Sequence, residues 1–406
     1  MQIPCVERPP ASPPIRRQGQ IASQLQASRY VPEIVQGAGS GIESYRAYGL
    51  ASSEAALPSG PYRCHTGAPS AGRAMTDRLS PSAPSLALMI PVLALAALWL
   101  PAVGSPPPVA PAEADALTRQ IRVGFGPLGV AVGGGAVWVT HADGRVSRID
   151  VRTSRPVGRR IRLGGSADVA VGASAVWVTG IVGGPRGYSV SRVDPRTGRV
   201  VGSPIRTGER GPEASIGGGV AVGTDAVWVT NGFENTVRRV DPASGRVVGR
   251  PIPVRGVDAG DVAVGGGSVW VANGLSRTVS RIHERTGRLV GRPIAVGNAE
   301  GVAVGGGAVW VANFAQDSVS RIAVRTGRVV GRPIAVGDGP LGIAYGAGAV
   351  WVVNRTDGTV SRIAPRSGRV VGAPIAVGDT PGGIAVGAGA VWVANQGSDT
   401  VTRITP

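Results

Sequence analysis

From residue 119 onward, short apolar runs alternate with polar or glycine-rich breaks, and the alternation recurs along the chain. One unit, residues 301–337, reads GVAVGGGAVWVANFAQDSVSRIAVRTGRVVGRPIAVG. Its apolar runs GVAV, AVWVAN, SVSRIA and VVGRPIAVG are separated by GGG, a polar loop and RTG. Each run is too short for a helix and rich in Val and Ile, whose branched side chains suit a pleated surface. They are designated strands A, B, C and D. Strand B of each unit carries a tryptophan: Trp138, Trp177, Trp228, Trp270, Trp310, Trp351 and Trp392, spaced 39, 51, 42, 40, 41 and 41 residues apart. Such a period matches one four-stranded propeller blade.

The ends of the array discriminate between a solenoid and a ring. VTRIT (401–405) is a strand C with no strand D after it, and QIRVG (120–124) is a strand D with nothing before it. An open solenoid would leave both half-blades as unpaired edges, whereas a ring lets the first strand complete the last blade. The expected fold is therefore all-β: a seven-bladed β-propeller over residues 119–406, closed by its N-terminal strand.

Residues 1–80 carry no hydrophobic period, are dotted with Pro, Ser, Gly and Arg, and are expected to be disordered. Met75 opens a stretch that reads as a start in its own right, which would leave residues 1–74 outside the natural product. The run LALMIPVLALAALWL (86–100), extended to 85–103, is short for a spanning helix and contains Pro91; it fits a signal-peptide core or an uncleaved anchor. Small-residue sites at Ala102-Val103-Gly104 and Ala112-Glu113-Ala114 suit cleavage. Arg73 and Arg78 favour a cytoplasmic N-terminal side. Both readings place the repeats outside the cytoplasm, after a Pro/Ala-rich linker at 104–118.

Composition narrows the chemistry. Only 4% of residues are aromatic, while 64 are Gly and 33 Pro, as many short strands joined by tight turns require. The net charge is +17 and all 42 basic residues are Arg. These arginines recur one or two at a time with the repeat, without a basic helix or an aromatic-studded groove, so nucleic acid is not an expected partner. Cys5 and Cys64 lie outside the repeats, which removes disulfide and thiol chemistry from the folded part.

The pattern G-x-[AV]-V-W-V-x-N, then T-V-S-R-I-D-P-x-T-G-R, then I-x-V-G-x-x-P-x-G-[IV]-A-V resembles the YVTN or YncE-like propellers and the streptogramin (virginiamycin B) lyase-like propellers. The resemblance covers residues 119–406. It implies the fold far more strongly than a function, because such propellers serve unrelated roles. A lyase would require histidine and glutamate around a metal at one channel mouth.

The repeated residues are first weighed as structure. One Trp per blade fills the wedge between sheets. Asn231, Asn273, Asn313, Asn354 and Asn395, ending strand B, are expected to bond turn backbone. Gly124–Gly129 and Gly337–Gly342 match GxGxxG, but neither precedes a helix, so they read as turns rather than phosphate cradles. The strand C arginines, Arg148, Arg192, Arg239, Arg281, Arg321, Arg362 and Arg403, are expected to lay their stems between blades and pair with nearby Asp or carbonyls. His141 ends a strand B and His283 a strand C, so they fall on opposite faces and cannot share one metal. No catalytic residue, metal or cofactor is assigned, and the protein is expected to be a monomeric binding, recognition or scaffold module, with a lyase-like enzyme as the alternative.

Alternating strand direction sorts the loops onto two faces. The B-to-C and D-to-A loops form an upper face holding thirteen of the eighteen acids in residues 119–406. The C-to-D hairpins give a lower face of repeated Arg, among them Arg159, Arg160, Arg199, Arg246, Arg288, Arg328 and Arg369. The five from Arg199 to Arg369 are the candidate anion-facing residues, toward anionic lipid or cell-wall polymer. The long Trp177-to-Trp228 spacing comes from two long upper loops, which makes Tyr188, Glu209 and Glu213 candidate ligand contacts on the upper rim, together with Asp258 and Asp261.

Overall fold

The computed structural model describes residues 118–406, apart from 166, 182–186 and 209–217. The expected disordered segment 1–80, the apolar segment 85–103 and all but the last residue of the linker lie outside the described residues. Among those described, no helix is long and apolar enough to cross a membrane.

The strands gather into seven antiparallel sheets, one per blade. In blade five, strands A to D are Ala299–Gly305, Ala308–Asn313, Ser318–Ala323 and Ile334–Ala335. Its A-to-B turn places Gly306 and Gly307 at φ 60° and 79°, the geometry of the tight hairpin turn that the GGG run predicts. Strand D is less regular than its apolar run implies. In blade one it splits into Arg155–Pro156 and Ile161–Arg162, both pairing with strand C, and in blade three it runs as Arg246–Pro253 with a register shift. A glycine at positive φ (Gly158, Gly249) bends each of them.

Strand A of every blade lies against strand A of the next, and that of blade one lies against that of blade seven. The ring is closed. Its seventh blade, Pro381–Gly387, Ala390–Asn395 and Thr400–Ile404, takes Thr118–Arg122 as strand D. Thr118 pairs with Ile404 and Arg122 with Thr400, and the Val123 amide donates to Asp399 O at 3.1 Å. The closing strand begins one residue earlier than its sequence pattern suggests.

The core consists of seven wedges between blades. Trp310 packs with Ile343, Val350 and Val352 of blade six; Trp392 of blade seven packs with Val130, Val137 and Val139 of blade one, and with Ile121 of the closing strand. All seven rings are essentially inaccessible. Six donate an indole N–H to a carbonyl of the neighbouring A-to-B turn, as Trp310 does to Gly305 at 3.0 Å. Trp228 Nε1 is the exception and has no partner among the described residues.

Candidate functional site

The rung opposite each tryptophan holds the strand C arginine: Trp310 faces Arg321 and Trp270 faces Arg281. The guanidinium carbons of six of the seven lie over the ring at 4.9–5.8 Å from its centre, a cation–π arrangement. Three of these six also donate from Nη1 to a carbonyl of the next blade: Arg148 to Arg196 O, Arg239 to Arg285 O and Arg281 to Arg325 O. Arg192, the seventh, donates to Pro242 O and Ala243 O. The expected carbonyl pairing is found, and the stacking on Trp is an addition that the opposed positions of the two residues explain.

The strand B asparagines mostly bond across the sheet. Asn273 Nδ2 donates to Thr278 and Ser280 hydroxyls, and Asn354 to Thr359 and Ser361. The expected bonds to turn backbone appear at Asn231, which accepts from the Glu234 amide, and at Asn313, which accepts from the Gly297 amide.

His141 occupies the asparagine position of blade one. It is buried, with Nε2 2.7 Å from Ser147 Oγ and Nδ1 3.1 Å from Phe125 O. A carbonyl beside Nδ1 assigns the proton there and leaves Nε2 to accept. Burial holds its pKa below the usual histidine value. The register sets His141 opposite Pro127, at the start of strand A, and His283 opposite Ser268, at the start of strand B, so the two imidazoles stand at opposite ends of their blades. Among the described residues no group of three or more His, Cys, Asp or Glu side chains is placed to hold a metal.

On the upper face, the loop residues separate. Tyr188 is 2% exposed, because it belongs to strand C of blade two and pairs with Ile181 and Gly208. Glu209 and Glu213 lie outside the described residues. Asp258 stitches neighbouring loops: its amide donates to Asn235 Oδ1 at 2.6 Å, and its carbonyl accepts from the Gly274 amide. Asp261 sits on an innermost strand A, not on the rim. Its carboxylate accepts from the amides of Val262 and, across the blade boundary, Val302, both at 2.8 Å. Asp168 does the same with Val169 and Val220. The equivalent position in blades five, six and seven is Gly301, Gly342 or Gly383, where an added Cβ would run into backbone of the following blade. Both carboxylates are half-buried. Removal from bulk water raises Asp168 to about 6; the same effect, with repulsion from Asp168 and Glu300, raises Asp261 to about 7. This inner acid pair has no counterpart in the repeat pattern and is visible in the sequence only when the strand A glycines are aligned.

The lower face is the most uniform chemical feature. Arg199, Arg246, Arg288, Arg328 and Arg369 occur at one register: the last four pair with the last residue of their strand C, Asp241, His283, Ala323 and Ala364, and Arg199 with Asp194, one residue past the end of its own. Arg155 takes this place in blade one. All six are exposed. Within two residues after them come exposed valines, Val157, Val200, Val248, Val290, Val329 and Val370, at 37–43%. The acids here are occupied: Asp150, Asp194 and Asp241 accept hydrogen bonds from Thr153, Thr197 and Ser244, each three residues on, which hold their carboxyls below the ordinary range. One assignment needs correction. Arg160 lies too far along strand D to belong to this face and reaches the upper Asp143 at 3.3 Å.

The fold has known counterparts. Virginiamycin B lyase from Staphylococcus aureus superposes with a TM-score of 0.59 at 16% identity, covering 71% of this chain and 99% of that one. The same lyase has been solved as a catalytically inactive histidine-to-alanine variant with quinupristin. Hydrazine synthase of Kuenenia stuttgartiensis gives 0.57 at 17% identity over 69% and 96%, and a computationally designed protein 0.52 at 12% over 71% and 98%. No protein-family model and no curated protein matches the sequence. The expected lyase-like likeness is thus borne out at the level of fold.

Proposed function

We propose that the protein is a non-catalytic, extracytoplasmic binding module whose lower face engages a polyanionic surface. The observation that carries this reading is the coincidence of three features on one face. Six blades present an exposed arginine at the same rung. Exposed valines follow those arginines. The closing strand enters there as well, since Thr118 pairs with Ile404 at the lower end of strand C. The apolar segment 85–103 precedes that entry point by a short linker, so a retained anchor holds this face toward the membrane. Anionic headgroups attract each surface arginine by about 1 kcal/mol, and the valines add apolar contact at the interface.

A lyase reading draws on a fold shared equally with a synthase and a designed protein. A histidine matters to the Staphylococcus aureus lyase; here His141 is enclosed by Ser147 and Phe125, and His283 stands at the other end of its blade. Binding is tested with a form comprising residues 105–406, by flotation with phosphatidylglycerol vesicles and by pull-down on isolated cell wall. Retention at low salt, loss at high salt, and loss on changing Arg199, Arg246, Arg288, Arg328 and Arg369 to Gln are expected. The arm that retains the protein distinguishes lipid from wall polymer. Salt-independent retention, or retention of the five-fold variant, would sink the proposal.

A further inference from the structure

The basic surface does not stop at the lower end of the blades. Strand A packs against strand A around the ring, which leaves strand D on the outer wall. Every blade sets an isoleucine of that wall opposite a strand C valine, as Ile294 opposite Val279 and Ile375 opposite Val360. Two residues before this isoleucine stand Arg250, Arg292 and Arg332 in blades three, four and five, but Ser203 and Ala373 in blades two and six. Arg159 and Arg119 take the place in blades one and seven. Blades three to five thus share one octad, RVVGRPIP, RLVGRPIA and RVVGRPIA, at 246–253, 288–295 and 328–335. Each opens with the lower-face arginine, bends at a glycine of positive φ (75°, 71° and 73°) and carries its second arginine directly after that glycine. All six arginines are exposed. None of their guanidinium groups has a hydrogen bond or ion pair among the described residues. The octads contain no acid. The acids of these three hairpins, Asp241 and Glu284, are engaged: the first accepts from the Ser244 hydroxyl and the second from the Thr224 amide.

We infer that the outer wall of blades three to five binds an unbranched polyanion with one negative charge per repeat unit, laid across the three blades. This deepens, and rests on, the reading of the lower face as an anion-binding surface. A flat bilayer against the lower face meets the first arginine of each octad. The second stands beyond the glycine bend on the side of the blade, where a flexible chain reaches and a plane does not. Ser203 and Ala373 bound the arc on its two sides, so the unit of recognition is three neighbouring blades rather than the whole ring. Each further blade engaged adds contacts to a ligand already held, and affinity grows with ligand length. Guanidinium groups suit oxyanions by charge and by paired donors, and exposed charge makes the contact salt-sensitive. Nucleic acid fits poorly, because the octads offer aliphatic Val and Leu between their arginines and no aromatic ring on which a base could stack.

The test titrates the full chain with long-chain polyphosphate, tripolyphosphate and oligo(dT) by isothermal calorimetry. The long chain is expected to bind at least roughly tenfold more tightly than tripolyphosphate, and oligo(dT) no more tightly than polyphosphate of equal charge. Arg250→Gln with Arg292→Gln and Arg332→Gln replaces exposed side chains and is expected to keep the melting temperature. It should weaken long-chain polyphosphate at least roughly tenfold and leave retention on phosphatidylglycerol vesicles unchanged. Arg119→Gln with Arg159→Gln and Arg196→Gln removes the same charge elsewhere and is expected to weaken the polymer less than roughly threefold. Equal weakening by the two triple variants, equal affinity for short and long chains, tighter binding of oligo(dT), or no binding of polyphosphate would overturn the inference. Vesicle retention persisting in any of those cases leaves the surface reading standing, so the two fail separately.

Discussion

At the scale of single residues, the fold rests on a rung that repeats seven times, an enclosed indole on strand B opposite an arginine on strand C, which lies over the ring in six of the seven blades. Truncating a buried Trp removes a large apolar surface and leaves a cavity between two sheets. Trp310→Ala is therefore expected to cost about 3–5 kcal/mol, read as a lowered denaturant midpoint at unchanged slope. Titrating residues act in the opposite sense to the usual carboxylate. Asp168 and Asp261 hold their protons to about pH 6 and 7 in the folded state, against an ordinary value near 3.8. Folding therefore takes up protons in this window, and the pair's stabilisation, complete below pH 3.8, is lost as pH rises through 7. Asp150, Asp194 and Asp241, whose values are depressed, contribute stability above the ordinary carboxylate value that is lost in acid. Thermal melts are expected to peak near about pH 4, to fall up to about pH 7 and to level off above it. Asp168→Asn with Asp261→Asn should flatten that slope, and an unchanged slope would remove the acid pair as its cause.

At the scale of strands, the sequence was informative where side chains repeat and silent where the backbone deviates. Strands A to C were legible because Val alternation, the Trp and the glycine turns recur with every unit. Strand D was legible as an apolar run, but not in its breaks, which arise from positive-φ glycines such as Gly158 and Gly331. That irregularity also explains why Arg160 was assigned to the lower face, since the position along a bent strand is not set by residue count. The five register-matched arginines are legible because they recur with the same hairpin turn in each unit. Tyr188 was misplaced because loop length marks where an insertion lies, not which of its flanking residues faces water.

At the scale of the molecule, one short strand decides whether seven sheets make a ring. Removing residues 115–124 would strip strand C of blade seven of its outer partner and take the buried Ile121 and Val123 out of the core around Trp392 and Val401. The whole ring is expected to lose several kcal/mol and melt well below the intact chain, whereas removing residues 1–80 should leave the melting temperature unchanged. A truncated chain starting at Gly126 that melted like the intact propeller would contradict closure. Such non-local pairing, joining residues almost 290 positions apart, also raises the contact order and slows folding.

That closing strand has a mechanical side. Its five rungs run antiparallel to Thr400–Ile404, with hydrogen bonds lying across the strand axis. A tether pulling on Thr118 draws the strand along its own length, so the load falls on every rung together instead of peeling them one at a time. For the retained anchor proposed above, this strand would act as a shear clamp against a pull along its own axis.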